Sequence, residues 1–400
     1  MHFQPSRRFW PVCVLLAVGL TNSPAAQAPP GAANLSQRSA EDGVQERRRA
    51  KLRAILERFH GQSRFPGVVA GAYFADGSSL TVAVGLADRD LRTPMPERSL
   101  LHAGSVGKTF FAALALQLVG DGRLALDDKV IQYLGSEPWW TRIPNNATIT
   151  VRMLLNHTTG IPEYGLALMR ALIKDPSRKR SPLEAVKSVL DAKPLFPAGT
   201  AFAYTDVNFQ ILQLVTERIT GKSAYAEIER RLLRPLALRA IVPADSRSVP
   251  GLVAGYAGKD NFLGFDGVMK NGRLILDPSF EGGGGGFITN AGDLARWMAY
   301  FAEGRAFPAV LLPEVRKGVP AGDLDLGKNA SSGLGVEIVQ TPLGVAYGHG
   351  GFFPGYLSGV LWYPERGLAL AIQVNSSAPD ALGRPLRDVF HEAAAALSEN

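Results

Sequence analysis

The sequence predicts an α/β protein whose sheet is built from both ends of the chain, with a mostly helical region inserted between them. Two early β-rich runs, four late ones and a long helical middle carry that expectation. The 400 residues are 46% hydrophobic and 20% charged, ordinary globular content that suffices for one large domain or two moderate ones.

The chain opens like a secretory signal. Arg7 and Arg8 form a basic start, Phe9 to Leu20 an apolar core, and small residues follow, with cleavage expected after Ala25 or Ala28. The apolar run is too short to span a bilayer comfortably. Residues 1–28 are therefore expected to be removed on export to the periplasm or the medium, leaving no stable membrane span. Residues 29–45 read as a disordered leader, and the folded domain is expected over 46–398. Helical periodicity runs from Glu41 to Phe59, with Val44, Leu52, Ile55 and Leu56 on one face.

Phe65 to Phe74 and Leu80 to Leu86 are β-rich runs, and Asp76-Gly77-Ser78-Ser79 between them is a hairpin signal. Helical patterns occupy 105–119, 149–156, 164–173, 182–191, 206–219, 223–235 and 291–303. Strand-like runs return at 334–340, 343–348, 357–364 and 367–374, and 379–397 is amphipathic with a helical period. The sheet region is thus expected at about 46–100 and 330–398, the helical region at about 101–329. A cleft between two such regions is a natural place for catalysis.

Composition removes several classes of function. The only cysteine, Cys13, lies in the leader, so the exported chain has no disulfide, thiolate metal site or cysteine nucleophile. The formal charge of +7 falls to +5 without Arg7 and Arg8. The basic run Lys174 to Arg180 reads as a solvated loop, with no aromatic interleaving to suggest nucleic acid. No His/Asp/Glu cluster has ligand spacing, so no metal and no cofactor are expected.

Three short stretches carry chemistry. Ser105-Val106-Gly107-Lys108 is the one place where Ser is followed three residues later by Lys. Serine needs a base beside it, and i and i+3 share a helix face, so Lys108 reaches the hydroxyl if a helix starts there. The apolar run from Thr109 supports that start, and burial against it is expected to lower the lysine pKa. A match of this kind arises by chance about once in a chain this long, so it acquires meaning only from its companions.

Phe202-Ala203-Tyr204-Thr205-Asp206 follows the turn signal Pro197-Ala198-Gly199 and begins a helix. A tyrosine there is expected to shift toward phenolate under nearby ammonium groups and the helix dipole, and so to shuttle protons. A buried tyrosine capping a loop is the other reading. Tyr347-Gly348-His349-Gly350-Gly351-Phe352-Phe353-Pro354-Gly355-Tyr356 places a histidine among glycines at a strand end, where free N–H groups can hold an oxyanion. A satisfied turn histidine is the alternative.

Taken in this order, the three stretches resemble the serine β-lactamase and penicillin-binding-protein superfamily, in its class C β-lactamase, DD-carboxypeptidase and esterase branch. Met153 to Pro162, Gly221-Lys222-Ser223 and the Gly-rich 282–286 segment extend the similarity to residues 50–395. The resemblance implies a β-lactamase/transpeptidase-like fold, an antiparallel sheet flanked by helices with an inserted mostly helical domain. It also implies a Ser105 nucleophile that forms an acyl-enzyme, Lys108 as its proton acceptor or relay, and Tyr204 as second acid/base. Ser105 and Phe352 would supply the oxyanion-hole N–H groups, while Asp206, His349, Gly350 and Gly351 would line the substrate. His157 looks structural.

Two positions depart from the family pattern. Asp206 stands where many members have Asn; it accepts but cannot donate, and is expected to tighten the hold on Lys108. His349 stands where β-lactamases carry Lys, so a fixed positive charge becomes one that is largely lost above about pH 6.5. Acidification is therefore expected to improve binding of carboxylate substrates through His349. Both departures fit an esterase or a D-residue peptidase of the DD-carboxypeptidase kind better than an efficient β-lactamase. A class C-like β-lactamase and a non-catalytic cell-wall or peptide-binding relative remain as alternatives. The expected partner is a small molecule or short peptide, cell-wall peptide among them. A phosphate loop is rejected, because position 102 is His where that motif needs Gly.

Overall fold

The computed structural model describes residues 30–399, so the signal expected at 1–28 lies outside the described residues. The chain divides into two compact units, Met1–Val44 and Gln45–Asn400. The described part of the first is the beginning of helix α1 (Pro30–Gly61). The leader expected at 29–45 is thus helical from Pro30, which corrects the disorder reading. The reason is local: proline is tolerated in a first turn, and between Ala33 and Asp42 nothing interrupts the helix.

A nine-stranded antiparallel sheet dominates the second unit. Its strands are β1 (Gly67–Phe74), β2 (Ser79–Asp88), β3 (Thr93–Pro94), β9 (Val319–Leu324), β10 (Gly327–Ser332), β11 (Glu337–Thr341), β12 (Gly344–Phe353), β13 (Tyr356–Tyr363) and β14 (Leu368–Val374). They lie in the order β3-β2-β1-β14-β13-β12-β11-β10-β9. The predicted β1–β2 hairpin is present, with Ser78 N–H donating to Asp76 and Gly77 at φ 84°. Three small strands, β4 (Leu101–His102), β5 (Ile241–Pro243) and β8 (Phe287–Thr289), form a separate sheet, and β6 (Met269–Lys270) pairs with β7 (Arg273–Leu274).

The period-two alternation of the central strands decides what covers each face. Val68, Ala70, Ala72 and Phe74 of β1 join Leu370 and Ile372 of β14 in a core beneath α1 and the C-terminal helix. Val69, Ala369 and Ala371 point the other way, into the core shared with the inserted helices. The other long helices are α2 (Lys108–Gly120), α3 (Asp206–Thr220), α4 (Ala291–Ala302) and α5 (Leu386–Ser398). Phe390 and Leu56 are fully buried between α5, α1 and the sheet, each worth about 1.5–3 kcal/mol relative to exposure.

A helix and two strands that begin within the expected helical region belong to the sheet layer. Helix α4 packs across β1, β14 and β13. Small residues make this possible: a Cβ on Gly71 would lie 2.3 Å from the Ala291 carbonyl oxygen. Strands β9 and β10 extend the sheet although Val319–Leu324 and Gly327–Ser332 carry Pro, Gly and polar residues and little alternation. Such sequences suit an edge, where partial pairing suffices and continued pairing is discouraged. Among the described residues, no helix is long and apolar enough to cross a membrane.

Candidate active site

Ser105 sits in a 3₁₀ turn, Gly104–Gly107, that joins β4 to α2, and Lys108 is the first α-helical residue. The expected helix start is therefore one turn late, yet the i, i+3 pairing survives because the tighter turn still stacks the two side chains. Gly104 has φ +53°, and a Cβ there would stand 2.5 Å from Phe352 N. The serine turn thus lies directly against the backbone of β12, the contact an oxyanion hole of Ser105 and Phe352 requires. From the other side, Gly285 presses on Gly104, where a Cβ would fall 2.4 Å from the Gly104 carbonyl oxygen.

Lys108 is fully buried and its Nζ is the hub of the site. It donates to Ser105 Oγ at 2.9 Å, to Asp206 Oδ1 at 2.5 Å, and to the Gly284 carbonyl. Thr205 caps α3 by accepting from Val207 N–H, which fixes Asp206 in the first turn facing Lys108. Burial, the largest single influence, pulls the Lys108 pKa down, but the Asp206 carboxylate, aided by Tyr204, outweighs it and the net shift is upward. This corrects the lowered pKa expected from burial alone: a buried lysine with a carboxylate in contact stays an ammonium.

Tyr204 is also brought to the site, with Lys108 Nζ 5.0 Å from its ring centroid. Its hydroxyl is buried and has no partner in hydrogen-bond geometry, although Ser105 and Lys108 are its neighbours. Burial raises its pKa; Lys108 pulls it back, Asp206 pushes it further, and the net shift is upward. The shift toward phenolate is thereby corrected, because Asp206 has already claimed the ammonium that would have stabilised the phenolate. His157 stacks on Tyr204 at 4.4 Å and accepts from Thr205 N–H through Nδ1, consistent with the structural reading.

His349 is buried with its ring 6.1 Å from that of Tyr204. Burial and then Lys108 lower its pKa to about 4, so it is neutral over the whole range in which it was expected to switch. His349 therefore gives no acid-enhanced carboxylate binding between pH 5 and 8, which corrects that expectation. Gly350 and Gly351 are buried in the strand beside it, whereas the Phe352 side chain is 49% exposed at the rim.

Four functional candidates escaped the sequence reading. Tyr164 donates its hydroxyl to Asp206 Oδ2 at 3.1 Å, and Glu163 Oε2 accepts Asp206 N–H at 2.8 Å. Although the residue as a whole is exposed, desolvation of its carboxyl and then Asp206 raise the Glu163 pKa to about 7. Burial and Asp206 raise that of Glu281, at the head of the glycine run, to about 8. Glu337 adjoins His349, with Oε1 3.4 Å from Nδ1. Glu163 and Tyr164 directly follow the Met153 to Pro162 stretch and Glu281 precedes Gly282; that adjacency was the available signal. A cavity of about 940 Å³ lies elsewhere, lined by Tyr256, Leu252 and Arg98 among others and by none of these groups.

A serine-bearing turn, a buried lysine and a strand edge at the junction of an antiparallel sheet with a helical insert fit a β-lactamase/transpeptidase-like fold. The sequence matches the family model described as Beta-lactamase over residues 52–395, and the chain belongs to that serine hydrolase family. Esterase EstB of Burkholderia gladioli is 25% identical, covering 86% of this chain and 94% of that protein. A D-aminopeptidase of Cereibacter sphaeroides is 28% identical over 54% of this chain and 42% of its own length. Among solved structures, a D-stereospecific amidohydrolase from Streptomyces sp. superposes with a TM-score of 0.71 at 26% identity, covering 86% of this chain and 97% of that one.

Proposed function

We propose that this chain is an exported serine hydrolase that forms an acyl-enzyme on Ser105 and cleaves ester or amide bonds of small substrates bearing a free amine. The observation that carries the reading is charge: Asp206, Glu163 and Glu281 surround the single ammonium of Lys108, while His349 is neutral where a cation would meet a substrate carboxylate. Raised carboxyl pKa values in such a cluster mean that another cation is welcome there. A carboxylate substrate, as in a carboxypeptidase or an efficient β-lactamase, meets repulsion. The relatives' names, esterase, D-aminopeptidase and D-stereospecific amidohydrolase, suit this range, with D-residue amides and peptides as the leading candidates.

The same charges suggest how the serine is activated. In the resting site Lys108 is an ammonium and Tyr204 a neutral phenol, so Lys108 takes the Ser105 proton only by passing one to Asp206, which suffices for an activated ester. A substrate ammonium drawn to Asp206 and Glu163 competes for the carboxylate and repels Lys108, which lowers its pKa and lets its extra proton pass to solvent water. Neutral Lys108 takes the hydroxyl proton as Oγ attacks the carbonyl carbon. The N–H groups of Ser105 and Phe352 hold the resulting oxyanion. As the intermediate collapses, Tyr204 delivers a proton to the departing nitrogen or oxygen, and water, activated by the same group, later cleaves the acyl-enzyme.

The test compares D-alanine p-nitroanilide, its N-acetyl derivative, a D-Ala-D-Ala peptide, p-nitrophenyl acetate and a chromogenic cephalosporin, with Ser105→Ala as control. The free-amine anilide should exceed its acetylated form by about 100-fold in kcat/KM. Ser105→Ala should lose about 10³-fold or more. Equal turnover of the acetylated form removes the amine reading. Equal behaviour of wild type and Ser105→Ala removes the enzyme and leaves a binding protein of the same fold.

A further inference from the structure

Glu337 stands where the sheet runs out beside the site. Strands β11 and β12 pair from Thr341↔Gly344 to Glu337↔Gly348, and there their ladder stops. Strand β12 continues to Phe353. The Gly350 N–H points at Glu337 Oε1, 3.5 Å away. Backbone N–H groups two apart on a strand face the same side, so Phe352, the oxyanion donor, projects its N–H from this uncovered edge. The Glu337 carboxyl fills the place of the absent strand one step before that donor.

The surroundings are dry. Glu337 is 6% exposed and its Oε2 has no partner among the described residues. His349 Nδ1 lies 2.6 Å from the Gly350 carbonyl and 3.4 Å from Glu337 Oε1. A carbonyl only accepts, so Nδ1 carries the proton of the neutral imidazole and Nε2 keeps its lone pair. We propose that Glu337 is a positioning residue for the Ser105 reaction: its carboxyl anchors the free edge of β12, fixing Gly350 and His349 and thereby the aim of Phe352 N–H.

Because the inference rests on the acyl-enzyme reading, its consequence is expressed in that reaction. Burial, then Asp325, raise the Glu337 pKa to about 8, against the pull of the Gly350 hydrogen bond and of Lys108. The groups facing it are Asp325 from the β9–β10 turn, His349 on β12 and Lys108 on α2; Ser332, opposite on β10, is uncharged. Above about pH 8 the carboxyl becomes an anion roughly 8 Å from the oxyanion, a repulsion that slows acylation on the order of tenfold.

The experiment measures kcat/KM between pH 6 and 10 with p-nitrophenyl acetate, which has no titrating group, for wild type, E337Q, E281Q, D325N and Ser105→Ala. Wild type should fall about tenfold through a midpoint near pH 8. E337Q should stay within about threefold across the range, since the amide still meets Gly350 but cannot ionise. D325N, a change at the exposed turn, removes a neighbouring negative charge and should move the midpoint to lower pH. A wild type without the fall, an E337Q with it, or its disappearance in E281Q instead overturns the proposal. Should E337Q fail to fold, an unmoved midpoint in D325N overturns it equally. If Ser105→Ala retains turnover, the acyl-enzyme reading itself fails. If Ser105→Ala is inactive and E337Q matches wild type, only the role of Glu337 is lost.

Discussion

Replacing Asp206 by Asn removes the charge that keeps Lys108 an ammonium, and the cost can be worked from the site. Lys108 has no exposed side-chain surface, and Asp206 retains 19%. Breaking a buried pair of this kind costs about 3–5 kcal/mol when the surviving charge is left uncompensated. Two responses reduce that figure. Glu163 and Glu281, whose pKa values Asp206 raises, ionise more readily without it and supply part of the missing charge. Lys108 itself can shed its proton, since burial becomes the dominant influence on it. A loss of about 3 kcal/mol at pH 7 is the expected net.

The pH dependence gives the prediction its sign. In the wild type the folded pKa of Lys108 lies above the usual 10.5, so its contribution is complete below pH 10.5 and is lost only as pH rises through the higher folded value. In the variant the folded pKa lies below 10.5. The unfolded chain then binds more protons between the two values, and stability rises with pH there. Denaturant titrations at pH 7 and pH 10 should therefore show a large gap that narrows at the higher pH. A loss under about 1 kcal/mol at pH 7, or a gap unchanged at pH 10, would refute the assignment of Asp206 as the group holding Lys108 charged.

Two further outcomes are expected. Gly104→Ala places a Cβ at positive φ and 2.5 Å from Phe352 N, so it should cost about 2–4 kcal/mol in a melt and lower kcat/KM about 100-fold or more. Binding of carboxylate-bearing ligands should strengthen as pH falls from 8 to 6, where Glu281 and Glu163 lose their charge, and again only near pH 4, where His349 charges; a flat profile from pH 8 to 6 in isothermal titration would contradict the repulsion.

Much of the site was legible because its residues announce themselves locally. Ser105 and Lys108 sit at a helix start, Asp206 in the first turn of α3, and His349 between glycines, patterns that need no knowledge of the fold. Their charge states were not legible. The burial-lowered Lys108 and phenolate-shifted Tyr204 expected from sequence both reverse, Lys108 because Asp206 arrives from 98 residues away and Tyr204 because burial outweighs the pull of Lys108. Glu281 and Glu337 escape for a related reason, each being an ordinary glutamate until the fold buries it, and Glu163 because its partner Asp206 is distant in the chain. In the fold, the strands with clear alternation, β1, β2, β13 and β14, were found, whereas β9 and β10 carry no apolar face to be read. Helix α4 was recognised as a helix, but its seat on the sheet depends on Gly71, a residue of another element.

The join between β1 and β14 sets the order in which this molecule can be made. Val68 pairs with Val374 and Phe74 with Leu368, so the centre of the sheet is closed by a strand that leaves the ribosome long after its partner. Until then β1 and β2 form an isolated hairpin with an apolar open edge, and the pairing that protects it spans most of the chain. A chain that stops before Leu368 leaves that edge exposed to proteases and aggregation. The closing strand thus also governs the site, since β12, against which the Ser105 turn lies, joins β1 only through β13 and β14.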